Sequence, residues 1–107
     1  MVEEMEPWEL AELLKRSDPE LLLLDVREDD ERATARIKPS LHIPLPHLFR
    51  RLGEIPKDRR LVVYCHSGGR SSMVAGFLEG RGYKRVTNLT GGIDAWSREV
   101  DPSVPRY

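Results

Sequence analysis

Leu61-Val62-Val63-Tyr64-Cys65-His66-Ser67-Gly68-Gly69-Arg70-Ser71-Ser72 is the stretch that decides the fold of this 107-residue chain. Its first four residues are apolar and half of them are β-branched, which predicts a buried strand over residues 61–64. A loop follows at 65–70, and the apolar spacing beyond it predicts a helix over 71–81 that Gly82 ends. Because ligands of open α/β sheets bind at the carboxyl ends of strands, this loop is the expected functional site.

Outward from this unit, helix-like and strand-like segments alternate along the chain. The pattern predicts helices at residues 7–16, 29–35, 46–52 and 93–99, and strands at 21–24, 41–43 and 86–89. The continuous apolar run Leu21-Leu22-Leu23-Leu24 is typical of a strand covered on both faces. We therefore predict one α/β domain over residues 1–107 with a mostly parallel sheet, in which 101–107 form an extended C-terminal tail.

Composition and charge exclude several classes of protein. A chain that is 39% hydrophobic and 33% charged is expected to form a soluble globular domain. Its 17 basic and 18 acidic residues argue against a nucleic-acid partner, and no apolar run approaches the roughly 18 residues that predict a membrane span. The acidic N-terminus is unlike a secretory signal or a transit peptide, so we expect a cytoplasmic location.

Metal sites and disulfides are also not expected. Cys65 is the sole cysteine, which excludes a disulfide within the chain and a cysteine-cluster metal site. His42 and His47 lie near prolines, away from any second type of ligand, so the sequence predicts no metal.

The loop after Cys65 has the features that activate a thiol. Gly68 and Gly69 allow the backbone to curl so that successive N–H groups point inward and form a nest for an anion. The N-terminus of the next helix and the Arg70 guanidinium add positive charge at the same place. Such surroundings lower the pKa of a cysteine, so we expect Cys65 to be a thiolate nucleophile near neutral pH.

The alternative is that Cys65 is a small buried apolar residue and that the glycines form a plain turn. The strand-end position, the glycines and Arg70 agree with one another and favour the nucleophile. His66 either selects the substrate or points outward, and Ser67 and Ser71 could donate hydrogen bonds to the sulfur or to a bound anion. Ser71 could equally be a helix N-cap.

Two further residues, Asp25 and Arg27, follow the strand at 21–24 and are candidates for supporting the loop. If the sheet is parallel, Asp25 lies at the same sheet edge as Cys65. Arg27 could help to bind an anionic substrate. For both residues we favour a structural ion pair over direct participation in a reaction.

Four motifs in order give the chain a resemblance to the rhodanese family of sulfurtransferases, over residues 5–96. They are Leu24-Asp25-Val26-Arg27-Glu28, Ile43-Pro44-Leu45, Tyr64-Cys65 through Arg70-Ser71-Ser72, and Leu89-Thr90-Gly91-Gly92-Ile93-Asp94-Ala95-Trp96. The resemblance implies a three-layer α/β domain with a five-stranded parallel sheet and helices on both faces. It also implies that Cys65 takes sulfane sulfur from a small anionic donor such as thiosulfate, forms a persulfide and passes the sulfur to cyanide or a thiol. No cofactor is implied, because the cysteine itself carries the sulfur.

One segment departs from the family pattern, which often has Gly-His-Ile-x-Gly-Ala after the aspartate motif. Here the segment is Ala35-Arg36-Ile37-Lys38-Pro39-Ser40, with Arg36 in the place of the histidine and Pro39 in the place of the glycine. We expect the core fold to survive, because the motifs on either side are intact. Arg36 either adds positive charge near the site or faces solvent.

Three other functions stay open at the level of the sequence. A sulfur-relay carrier that accepts persulfide from a protein partner would have the same sequence features. Phosphatases and arsenate reductases of the same fold carry five residues between the cysteine and the arginine, whereas four separate Cys65 from Arg70. A non-catalytic module would tend to lose the cysteine. We therefore predict a thiosulfate-type sulfurtransferase with Cys65 as nucleophile and with residues 66–71 binding the substrate.

Overall fold

The computed structural model describes residues 2–107 as a five-stranded sheet flanked by helices. The strands are β1 (Glu3–Met5), β2 (Leu21–Asp25), β3 (Leu41–His42), β4 (Arg60–Tyr64) and β5 (Val86–Leu89). The helices are α1 (Pro7–Lys15), α2 (Asp29–Thr34), α3 (Gly69–Gly80) and α4 (Gly92–Glu99). The strand order is β1-β5-β4-β2-β3 and every pairing is parallel, so the carboxyl ends of all strands meet at one edge.

Alternate residues of the strands face opposite layers, as a pleated sheet requires. Leu61 and Val63 of β4 belong to the core cluster that contains Val74 and Leu78 of α3. Val62 and Tyr64 belong to the second cluster, on the opposite face, to which α1 and α4 contribute Leu10, Leu13, Ile93 and Trp96. The predicted α/β domain with helices on both faces is therefore confirmed, and its central strand is buried on both sides.

Three elements differ from the predicted ones. The helix α3 begins at Gly69 rather than at Ser71, because Gly68 adopts a left-handed backbone (φ 112°) that caps the helix two residues early. The segment at 46–52 forms two short 3-10 helices, Leu45–His47 and Phe49–Glu54, and Arg51 has non-helical dihedrals. The strand pattern did not predict β1, whose Glu3 and Glu4 are exposed at the sheet edge.

The C-terminal segment, predicted to be extended, instead turns and returns to the sheet edge that carries Cys65. The Val104 N–H donates to the Asp101 carbonyl at 3.1 Å, and Val104 packs against the core cluster on the α4 side. The Arg106 Nε donates to Asp94 Oδ1 at 2.8 Å, which holds the segment to α4. These contacts bring Tyr107 over the loop after β4.

Within residues 2–107, the longest helix is far too short to cross a membrane and none qualifies as a candidate span.

Candidate active site

Cys65 lies directly after β4, and its sulfur is surrounded by hydrogen-bond donors of the following loop. The Gly68 N–H donates to Sγ at 3.2 Å and the Ser71 N–H at 3.4 Å, while the Ser71 hydroxyl lies at 3.3 Å. The cysteine is buried, with 1% of its surface exposed. A buried sulfur with several donors directed at it is an environment that favours a negative charge on that atom.

The balance of burial and hydrogen bonding lowers the pKa of Cys65. Burial by itself raises the pKa of the thiol, because it disfavours the charged form. The hydroxyl and N–H of Ser71, together with the N–H groups of Gly68 and Ser67, act in the opposite direction and outweigh the burial. Ser67 itself is exposed and contributes through its backbone rather than its hydroxyl.

The two glycines of the loop have different roles. Gly68 has a φ of 112°, a conformation that L side chains rarely adopt, and its carbonyl accepts the Ser72 N–H of the first turn of α3. Gly69 is the first residue of α3, has open space around its Cβ position and does not have a positive φ. The inward turn of the N–H groups therefore requires glycine at residue 68 only.

The N-terminus of α4 holds the loop from the other side. The Ile93 N–H donates to the Cys65 carbonyl at 2.9 Å, and the Asp94 N–H donates to the His66 carbonyl at 3.0 Å. Gly92 makes this approach possible, since a Cβ there would lie 2.5 Å from both carbonyl oxygens. With their carbonyls bound to α4, the loop residues direct their N–H groups towards the sulfur.

Ser71 is placed within the site and is not the N-cap of α3, a position that Gly68 occupies. Its hydroxyl lies within hydrogen-bond distance of both Cys65 Sγ and Asn88 Oδ1 on β5, and its single proton is shared between these two acceptors. The Asn88 amide group in turn donates to the Glu4 carboxylate at 3.2 Å and to the Gly68 carbonyl at 3.3 Å. A chain of side chains thus connects the edge strand β1 to Cys65.

The Arg70 guanidinium is bound to a carboxylate of α2. Its Nη1 donates to Glu31 Oε1 at 2.6 Å and its Nη2 to Glu31 Oε2 at 2.9 Å. The bond to Arg70 is the main reason that the pKa of Glu31 falls to about 2. The same bond raises the pKa of Arg70, and the Cys65 thiolate adds to that effect in the same direction.

Asp25 and Arg27 form a fully buried ion pair behind the site. Arg27 Nε and Nη2 donate to the two Asp25 carboxylate oxygens at 2.9 and 2.8 Å, and Nη2 also donates to the Ala35 carbonyl at 2.6 Å. Burial alone would raise the pKa of Asp25, but the hydrogen bonds from Arg27 lower it. The pair connects β2 to the C-terminal end of α2, the helix that presents Glu31 to Arg70.

The segment that departs from the family pattern is held by Tyr64. The Ile37 N–H donates to the Tyr64 hydroxyl, which itself donates to Asp25 Oδ2, both at 3.2 Å. Arg36 is exposed to solvent. The altered sequence is thus still tied to the buried ion pair.

His66 is half-buried, and its ring stacks on that of Tyr107. The ring centroids are 4.1 Å apart and the planes differ by 15°. The His66 side chain thus packs against the C-terminal segment and does not extend freely into solvent. Its role in selecting the substrate stays a prediction.

Four residues that contact the site were not identified from the sequence: Glu31, Asn88, Gly92 and Tyr107. Gly92 stood within a quoted motif, and its neighbour Gly91 offered a signal for a close backbone approach. Glu31 and Asn88 lie on predicted elements without any distinguishing pattern. Tyr107 is an isolated aromatic residue in a polar segment, which by itself indicates no contact.

Comparisons with known proteins agree with this geometry. The model of the rhodanese-like domain matches residues 6–99. The chain is 41% identical over 104 residues to a sulfurtransferase of Allochromatium vinosum, covering 97% of this chain and 96% of that protein. It is 36% identical over 85 residues to the "Putative sulfur carrier protein YrkF" of Bacillus subtilis, covering 79% of this chain and 46% of that protein. A rhodanese-related protein from Thermoplasma volcanium has a similar structure, with a TM-score of 0.85 and 28% identity over 98% of this chain and 99% of that one.

Proposed function

This chain belongs to the rhodanese-like domain family, and we propose that it is a sulfurtransferase that carries sulfane sulfur as a persulfide on Cys65. The donor is a small anion such as thiosulfate or a persulfide, and the acceptor is cyanide or a thiol. The observation that carries the proposal is the set of donors around Sγ, from Gly68 and Ser71 at 3.2–3.4 Å.

In the first step the Cys65 thiolate attacks the outer sulfur of thiosulfate. A bond forms between Sγ and that sulfur, the sulfur–sulfur bond of thiosulfate breaks, and sulfite leaves with the bonding electron pair. No proton is transferred, so the step needs a thiolate and anion-stabilising donors rather than a general base. The lowered pKa of Cys65 supports the presence of that thiolate.

In the second step the acceptor attacks the outer sulfur of the persulfide. Cyanide forms a carbon–sulfur bond, the bond between that sulfur and Sγ breaks, and thiocyanate leaves while Cys65 returns to the thiolate. The N–H groups that surround Sγ can stabilise the negative charge in each state, and they are already oriented by α3 and α4 before reaction.

The test is the intact mass of the protein after brief treatment with thiosulfate and again after cyanide. We expect one added sulfur atom on the wild type, none on Cys65→Ser, and loss of the added mass with cyanide. Since Cys65 is the sole cysteine, no other thiol can account for the added mass. If neither thiosulfate nor an alkyl persulfide adds sulfur, the proposal is wrong.

A sulfur-relay carrier is the second candidate, and an exposed apolar surface favours it. Phe49 and Met73 are 65% and 63% exposed, and with Phe77 they line an apolar cleft beside the first turns of α3. Such a surface is suited to contact with a protein. A relay carrier would load from a protein persulfide much faster than from thiosulfate, which the same mass measurement distinguishes.

A further inference from the structure

The Glu31 carboxylate pairs with both terminal nitrogens of Arg70, the cationic side chain of the loop after Cys65. Its two oxygens receive both Nη groups of Arg70 together with the Glu28 N–H at 3.0 Å and the Tyr107 hydroxyl at 2.8 Å. These four donors fill the capacity of a carboxylate. With a pKa of about 2, Glu31 is ionised at neutral pH, so the positive charge of Arg70 is already neutralised by an internal anion.

Tyr107 holds this carboxylate in place. While its hydroxyl donates to Glu31 Oε2, it accepts a hydrogen bond from Arg27 Nη1 at 2.9 Å, and Arg27 is itself fully buried. The Tyr107 ring stacks on His66, the residue next to the nucleophile. Tyr107 therefore bridges a rigid buried cation, the Glu31 carboxylate and the active-site loop.

We propose that Tyr107, acting through Glu31, determines the class of sulfur donor by keeping the charge of Arg70 neutralised, so that the site disfavours sulfonate-type anions such as thiosulfate and favours persulfides. This inference rests on the proposed function and specifies its donor. Tyr107 is a specificity-determining residue in this account, and its removal makes the site more receptive to small oxyanions.

The two classes of donor differ in where their charge lies. Thiosulfate and its leaving group sulfite carry negative charge on three oxygens, which are bonded to the sulfur next to the one under attack. An alkyl persulfide carries its charge on sulfur, which the N–H groups around Sγ already stabilise, and its leaving group is a thiolate. Only the first class loses the benefit of the Arg70 charge, because Glu31 neutralises that charge and already accepts hydrogen bonds from both terminal nitrogens of the guanidinium.

The charge selectivity of the site can be measured without sulfur transfer. Iodoacetate and iodoacetamide are nearly equal in size, differ by one negative charge and both alkylate cysteine thiolates. We expect the ratio of their rate constants, iodoacetate over iodoacetamide, to rise about threefold in Tyr107→Phe, the factor expected from losing one hydrogen bond to Glu31. It should rise further in Glu31→Gln, which also removes the competing charge.

Tyr83→Phe is the matched control, since it also removes a tyrosine hydroxyl that donates a hydrogen bond, here to the Ile55 carbonyl. Tyr83 lies shortly before the start of β5, at the end of the sheet opposite to Cys65. The ratio of this variant should equal that of the wild type. Arg70→Gln placed on Tyr107→Phe should abolish the gain, because the proposal routes the effect through Arg70. An unchanged or lower ratio in Tyr107→Phe overturns the proposal.

Sulfur donors then separate this inference from the proposed function. The rate at which thiosulfate adds sulfur to Cys65 should rise about threefold in Tyr107→Phe, while the rate with the persulfide of 2-mercaptoethanol stays within twofold of the wild type. Equal changes with both donors would overturn the specificity role of Tyr107 and leave sulfur transfer intact. Absence of loading with both donors, alongside the altered alkylation ratio, would overturn sulfur transfer and retain the charge selectivity.

Discussion

Ser71 is the residue whose side chain acts most directly on the Cys65 thiol. Its hydroxyl lies 3.3 Å from Cys65 Sγ and is the largest contribution that lowers the pKa of that thiol against burial. In Ser71→Ala the pKa should rise, so at neutral pH a smaller fraction of Cys65 is thiolate. We expect iodoacetamide alkylation at pH 7 to slow by about fivefold and the midpoint of its pH profile to move to higher pH. Ser67→Ala is the control because Ser67 acts through its N–H, and a midpoint shifted equally in both variants would contradict this role.

The packing of α4 against the loop is the contact between elements on which the site depends. A Cβ on Gly92 would lie 2.5 Å from the carbonyl oxygens of Cys65 and His66, which are backbone atoms held by the Ile93 and Asp94 N–H groups. Gly92→Ala should push α4 away, lower the free energy of unfolding by about 2–4 kcal/mol and slow Cys65 alkylation more than tenfold. Urea unfolding and alkylation kinetics measure the two effects. Gly80→Ala in α3 is the control, with open space at its Cβ, and it should be neutral or stabilising. Equal unfolding free energies and equal alkylation rates of the two variants would contradict a requirement for glycine where α4 approaches the loop.

Over the whole molecule, stability depends on the buried pair that ties β2, α2 and the C-terminal segment together. Arg27 is fully buried and bonds to Asp25, to the Ala35 carbonyl and to the Tyr107 hydroxyl. Arg27→Met leaves the Asp25 carboxylate without its main partner, so we expect the free energy of unfolding to fall by about 3–5 kcal/mol. Arg98→Met, which breaks a half-exposed pair with Asp94, should cost at most about 1 kcal/mol. Similar losses in urea unfolding for both variants would show that burial does not set the cost.

The sequence predicted those parts of the fold that depend on local patterns. Apolar runs marked β2 and β4, and apolar spacing marked α1 and α3, because burial leaves a period along a single element. The boundary of α3 was wrong by two residues, since the left-handed Gly68 starts the helix early. The strand β1 was not predicted, because its two exposed glutamates give no apolar pattern that would indicate a strand paired with β5.

By itself, the sequence determined the candidate nucleophile and its surroundings. The position of Cys65 after a buried strand, the glycine that follows and the short loop to Arg70 are all properties of consecutive residues. A strand, a tight turn and a helix in that order leave few ways to arrange the backbone, so the N–H groups must gather around the strand end.

Only the tertiary structure decided what else reaches that site. The pair between Glu31 and Arg70 joins residues 39 positions apart, and the bond between Arg27 and Tyr107 joins residues 80 positions apart. Partly exposed polar side chains carry no periodic signal, and their partners depend on how helices and chain ends are stacked around the sheet. For this reason the ion pair of Arg70 with Glu31 and the contact of Tyr107 with the site depend on how the elements pack together. The pattern of any single element does not indicate them.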